Sequence, residues 1–211
     1  MTAAIKDNLN HELVAFMGDS ITFYWDDPTW APEDDLLSSH LPLFIDAGIN
    51  GQTSVQMLAR FGTDILDQHP GTIVIDAGTN DVDYLDLNLY ANTNPQAVSS
   101  LDPDSMKSLF AMVEMAVASG ADVIVGTLPP QDFAGVTQIQ QQLHAQWNEG
   151  IRAGARTYGY TVVEYYDAMV NADGTQNAGL FALDRVHPNG AGYAVMWAVL
   201  APLLNGSTHA H

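Results

Sequence analysis

Short apolar runs alternate with longer amphipathic stretches along this chain. Residues 13–17, 43–47, 72–76, 122–127 and 161–165 are rich in Val, Ile, Leu and Phe and are apolar at both alternating positions. That pattern marks parallel strands covered on both faces. Between them, helical spacing predicts helices over 54–68, 104–119, 137–158 and 189–204, with Ser54 and Asp104 as N-caps. In the first, Val55, Leu58, Ala59, Gly62, Ile65 and Leu66 recur at helical spacing and predict its core face. Strand and helix in alternation predict an α/β fold, a three-layer α/β/α sandwich around a parallel sheet of about five strands.

The polar residues that interrupt this pattern sit where such folds carry chemistry. In open α/β sheets, sites form at the carboxyl ends of the strands. Gly18-Asp19-Ser20 follows the first apolar run. Gly48-Ile49-Asn50-Gly51-Gln52-Thr53 follows the second, and Gly78-Thr79-Asn80-Asp81 the third. Near the other end stands Asp184-Arg185-Val186-His187-Pro188-Asn189. A serine hydroxyl is a weak nucleophile until a base takes its proton and donors receive the oxyanion. Ser20 is the candidate nucleophile, His187 the base and Asp184 its orienting acid. The Asp-x-x-His spacing puts acid and base on one short turn. Ser20 is flanked by Asp19 and Ile21, so the G-x-S-x-G elbow of α/β-hydrolases is absent. The bland alternatives are a helix N-cap for Ser20 and ordinary turn chemistry for Gly51 and Asn80.

Together, FMGDSIT, INGQTS, AGTND and VHPNGAGY, in this order, resemble the four blocks of the SGNH hydrolases, also called the GDSL esterase/lipase superfamily. The resemblance spans residues 13–204 and is greatest to small bacterial esterases of the platelet-activating-factor acetylhydrolase type. It implies flavodoxin-like strand order and a serine esterase acting on small acyl esters through an acyl-enzyme. It assigns Ser20, Asp184 and His187 as catalytic, and the Ser20 and Gly51 N–H groups with the Asn80 amide as the oxyanion hole. It implies no cofactor and no metal, which makes the acids Asp19, Asp81 and Asp83 structural or substrate-facing. Two departures stand out. Relatives often read Asn-x-Gly-Ile-Gly-Gly in the second block, where this chain has Asp46 and Asn50. Arg185 stands where relatives often carry glycine.

The substrate pocket is less sharply marked. Asp19, Trp25, Asp81, Tyr84 and Phe133 are the candidate substrate-binding residues. Phe23, Tyr24, Trp25 and Trp30 follow the nucleophile and either line an acyl or leaving-group pocket or belong to the core. The aperiodic stretch 83–103 and the segment 126–133 are candidate pocket rims. His11, His40, His69 and His144 read as surface or edge residues.

Charge narrows the partners. Asp and Glu total 25 against 6 Lys and Arg, a formal net charge of −19. Such a surface repels nucleic acid and anionic membranes. The acidity fits high salt, low pH or neither. No apolar run is long enough to insert into a membrane. The first residues lack the pattern of a signal peptide, which predicts a cytoplasmic protein unless a leader was removed earlier. There is no cysteine. The length predicts one domain over 1–211, with a core about 13–204 and a polar tail from 205. The partner expected is a small-molecule ester; the oligomeric state is not readable. Carbohydrate O-acetylesterase is an alternative within the class. A non-catalytic small-molecule binding module is the alternative outside it, disfavoured because no Gly-rich phosphate loop follows the first strand.

Overall fold

A computed structural model of the protein describes residues 13–31, 33–82, 103–132 and 138–206. Five parallel strands, β1 (Val14–Gly18), β2 (Phe44–Gly48), β3 (Thr72–Asp76), β4 (Asp122–Gly126) and β5 (Thr161–Val163), form one sheet in the order β2-β1-β3-β4-β5. This is the flavodoxin-like doubly wound order. The chain turns from one flank to the other beside β1. Ser20 therefore sits at the switch point, where such folds open a crevice.

Alternation along the strands separates two cores. Ala15, Met17, Ile73, Ile75, Val123 and Val125 face one side. There they meet helices α3 (Ser54–Asp64), α4 (Pro103–Ser119) and α5 (Gln138–Tyr158). Val14, Phe16, Val74, Ile124 and Val163 face the other. There they meet α1 (Ser20–Phe23), α2 (Leu37–His40), α6 (Tyr165–Ala168) and α7 (Gly190–Gly206). The three layers follow because each strand is apolar on both faces and must be covered twice.

Several boundaries differ from the sequence reading. Thr53, not Ser54, caps α3, with the Gln56 side chain accepting from the Thr53 N–H at 3.0 Å. Ser54 is buried instead, and its hydroxyl donates to Asp81 at 2.7 Å. The core face of α3 is accordingly Ser54, Met57 and Phe61, while Val55 is 47% exposed. Of the predicted stripe, Ile65 is buried and Leu58 and Leu66 pack against the core, whereas Val55 faces solvent because Ser54 is buried beside Met57. The last strand ends at Val163, since Tyr165 already opens α6. Among the described residues no helix is long and apolar enough to cross a membrane.

The strand ends are held by close backbone packing. Gly78 has φ +130°, and a Cβ there would lie 2.2 Å from the Trp147 ring. Trp147 in turn donates its indole N–H to the Ala77 carbonyl at 2.9 Å. Gly78→Ala should therefore combine a backbone penalty with overpacking, a loss on the order of 3 kcal/mol. Urea unfolding of the variant checks this; an unchanged midpoint would mean that Trp147 can withdraw at no cost.

Candidate active site

β1 delivers Ser20 directly into the first turn of α1. Asp19 caps that helix, its Oδ1 accepting from the Ile21 N–H at 2.9 Å. The helix lies against the second loop so closely that a Cβ on Gly48 would fall 2.3 Å from the Phe23 nitrogen. Glycine is required there by space, not by its dihedral angles. Tyr193 of α7 donates its hydroxyl to the Ile21 carbonyl at 2.9 Å and pins the turn from behind. Ser20 is 8% exposed.

The segment 184–187 approaches from the far end of the chain. His187 Nε2 lies 2.7 Å from Ser20 Oγ, and His187 Nδ1 lies 2.7 Å from Asp184 Oδ2. The other Asp184 oxygen accepts from the N–H groups of Val186 and His187, both at 3.0 Å. Burial alone would raise the Asp184 carboxyl, but the bonds from the His187 ring and these two N–H groups hold it below the usual carboxylate range. It is thus ionised and ready to face an imidazolium. Arg185, between them, adopts φ +61°. That conformation suits glycine, the residue relatives often carry. Its carbonyl is held by the Gln176 amide at 2.8 Å and the Asp132 N–H at 3.3 Å.

The second and third loops converge on the same point. Gly51 has φ +76°, a left-handed turn that glycine adopts freely. The turn is closed by Gln52, whose N–H donates to the Ile49 carbonyl at 3.3 Å. Asn80 donates its amide to the Gln52 carbonyl at 3.0 Å and to Asp19 Oδ2 at 3.4 Å. One amide hydrogen thus anchors Asn80 to the Gly51 loop. Arg60, which nothing in the sequence marked, ties these elements together. Its guanidinium donates to the Ala47 carbonyl at 2.7 Å, the Gly18 carbonyl at 3.3 Å and the Gln52 side chain at 2.6 Å. An arginine within an amphipathic helix looks like solvated surface until the strand ends above it are known.

The structure therefore brings Ser20, Asp184, His187, Gly51 and Asn80 together. A hydroxyl, an imidazole and a carboxylate in line can generate an alkoxide-like nucleophile, with donors from three loops nearby. Through residues 16–195 the sequence fits the profile of the GDSL-like lipase/acylhydrolase family. The chain belongs to that family. Solved structures agree in fold. A GDSL-like lipase of Bacteroides thetaiotaomicron VPI-5482 superposes with a TM-score of 0.73 at 28% identity, over 96% of this chain and 91% of the other. An acylhydrolase-assigned protein of Bacteroides fragilis NCTC 9343 gives 0.72 at 31% identity, over 93% and 88%. An acetylxylan esterase of Geobacillus stearothermophilus gives 0.68 at 20% identity, over 92% and 94%. Among curated proteins, none matches the chain in sequence. The family makes this protein a carboxylic ester hydrolase with a small-molecule ester as substrate.

The expected substrate residues fare differently. Trp25 is 0% exposed, stacked on Tyr193 and edge-on to Phe16 and Tyr165, so it belongs to the core. Asp19 is 1% exposed; its Oδ1 caps α1 and its Oδ2 accepts from the Asn80 amide. Asp81 is 3% exposed and accepts from both the N–H and the hydroxyl of Ser54, at 2.9 Å and 2.7 Å. All three are buried, Trp25 in the core and Asp19 and Asp81 in holding loops. Tyr84, Phe133, Asp83 and most of the 83–103 rim lie outside the described residues. Tyr24 and Trp30 are the aromatics at the site instead. They stack at 4.4 Å, and each ring lies 5.3 Å from His187. His144, read as a surface residue, is 6% exposed and bonded to the Pro129 carbonyl at 2.9 Å. Burial pushes it down to about 4, so it is neutral at pH 7. Among the described residues no group of three His, Asp or Glu side chains is placed to hold a metal ion.

Asp81→Ala should strand the buried N–H of Ser54, while the Ser54 hydroxyl keeps the Ser105 carbonyl at 2.9 Å. The fold should lose on the order of 1–3 kcal/mol, seen as a lower melting temperature. A melting temperature equal to wild type would show that Ser54 finds another acceptor.

Proposed function

We propose that the protein hydrolyses esters of short acyl groups through an acyl-enzyme on Ser20. The observation that carries this reading is the 2.7 Å approach of His187 Nε2 to Ser20 Oγ, with Asp184 at the same distance behind the ring. In the first half-reaction Oγ attacks the ester carbonyl and its proton passes to Nε2. The tetrahedral oxyanion is received by the N–H groups of Ser20 and Gly51 and by the Asn80 amide. On collapse, the C–O bond to the alcohol breaks and Nε2 returns the proton to the departing oxygen. In the second half-reaction water attacks the acyl-serine, His187 takes its proton, and Oγ leaves with that proton restored. The Asp184 carboxylate holds the imidazole tautomer and offsets the charge of the imidazolium.

Short acyl groups are favoured because the chain is small and shows no long apolar lid segment in its sequence. A carbohydrate O-acetylesterase is the second reading, and one feature favours it. A cleft of about 330 Å³, lined by Gln131, Gln140, Gln141, His144, Tyr166 and Gln176, adjoins the segment that Gln176 braces at Arg185. Carboxamides suit a neutral polyol.

Ser20→Ala and His187→Ala should each remove nearly all turnover while leaving the fold intact, because nucleophile and base act as a unit. On p-nitrophenyl esters, acetyl and butyryl should exceed longer chains. Wild-type-like turnover by Ser20→Ala, or a maximum at dodecanoyl, would overturn the respective assignment.

Asn80→Ala should lower kcat by ~10²–10³ with little change in KM, as for losing one oxyanion donor. The melting temperature should fall less than for Asp81→Ala. Near-normal kcat would reduce Asn80 to the tie it makes with Gln52.

A further inference from the structure

Thr22 Oγ1, Trp25 Nε1, Asp76 Oδ1 and Tyr165 Oη are all sealed from solvent and find no hydrogen-bond partner. They belong to one region, directly behind the turn that carries Ser20. A Cβ on Gly126 would lie 2.1 Å from Asp76 Oδ1 and 2.6 Å from the Tyr165 ring. A Cβ on Gly18 would lie 2.0 Å from Thr22 Oγ1 and 3.1 Å from the Asp76 carbonyl oxygen. Trp25 packs edge-on against Tyr165 at 6.2 Å. Of the four, Asp76 and Tyr165 line a cavity of about 10 Å³, together with Asp19, Thr79 and Thr127 among others. That is about the smallest space that admits one water, and a polar cavity of that size is filled when it offers several partners. Buried polar atoms without partners are rare because each forfeits its solvation.

We propose that Asp76 is a positioning residue of the esterase site: with Tyr165 it holds an internal water behind the Ser20 turn, and this water-linked carboxyl group keeps Asp19 and the turn in register. The inference rests on the reading of Ser20 as nucleophile. Asp76 stands at the end of β3, opposite Gly18 on β1. Its titratable neighbours are Asp19, on the loop after β1, and Tyr165, at the start of α6. Neither is a cation. Loss of solvent first, and the Asp19 charge second, push the Asp76 carboxyl up to about 8. At neutral pH it is an O–H donor. A carboxylic acid and a phenol can both donate to one water, which returns its own hydrogens to Asp19 or Thr127. An ionised Asp76 would repel Asp19 and set a second negative charge behind the developing oxyanion.

The pH sign follows. Asp76 titrates near 4 in an unfolded chain and near 8 in the fold. Folding therefore takes up a proton between those values, and its contribution to stability falls as pH rises through that window.

Two variants and one structure test the proposal. Asp76→Asn keeps a donor of the same shape without ionising. It should retain kcat within about threefold at pH 7, and its melting temperature should rise relative to wild type from pH 5 to pH 8. The wild-type decline in kcat above pH 8 should weaken in it. Asp76→Leu should fold yet lose at least tenfold in kcat with KM unchanged. A high-resolution crystal structure at neutral pH should show a water in the cavity. A dry cavity, wild-type kcat in Asp76→Leu, or identical pH profiles for wild type and Asp76→Asn would each overturn the role. If Asp76→Leu does not fold, the Asp76→Asn profile decides alone. Labelling of wild-type Ser20 with a fluorophosphonate separates the two readings: failure to label defeats the nucleophile assignment, whereas normal labelling with unaltered variants defeats only the role of Asp76.

Discussion

The Asp184 carboxylate is the contact on which the site depends. One oxygen receives the N–H groups of Val186 and His187 and so shapes the turn. The other receives the imidazole of His187. A single side chain thus sets the backbone that carries the base and the tautomer of the base itself. Acid and base three residues apart can do this because a tight turn brings one carboxylate against both backbone and ring. The cost is local: Arg185 must take a left-handed conformation, and the Gln176 amide secures it.

Around that turn, a strongly acidic chain uses carboxylates as internal fasteners. Asp19 caps the nucleophile helix and Asp81 holds Ser54 on the next helix. Asp46 closes the second loop by accepting from the Gly48 N–H at 2.8 Å, and burial raises its carboxyl to about 6. A short acidic side chain at a strand end can collect the backbone N–H groups of the turn that follows. This accounts for Asp46 where relatives often have Asn: the acceptor is retained. Arg60 reaches the carbonyls on the same loops, which Asp cannot. Few cations are present, and one of them is committed to holding the site together.

The fold was legible because burial on two faces leaves a plain mark: five short apolar runs with amphipathic segments between them. The candidate triad was legible because Ser20 is a polar residue just past a strand end and Asp184 and His187 stand three residues apart in one turn before the last helix. The pocket was not. Trp25 and Trp30 are five residues apart and chemically alike, yet one is in the core and the other beside His187. Which indole faces the site depends on the direction of the 3₁₀ turn after α1, and composition does not carry that. Val55 was misplaced on α3 for a related reason, since Ser54 is buried where Asp81 and the Ser105 carbonyl accept from it.

By itself, the sequence determined the strand and helix order and the parallel sheet, and it marked Ser20, His187 and Asp184 as the candidate nucleophile, base and acid. Each of these rests on local pattern or on short spacing. Tertiary structure alone decided that Asp19 and Asp81 are buried to hold loops, and that His144 is buried and neutral. It alone placed Arg60 under the strand ends and Asp76 behind the nucleophile. Those roles arise from side chains meeting across distant segments, as Ser54 meets Asp81 and Gly18 meets Asp76. The energy of a buried polar group is set by partners that neighbouring residues in the chain do not reveal.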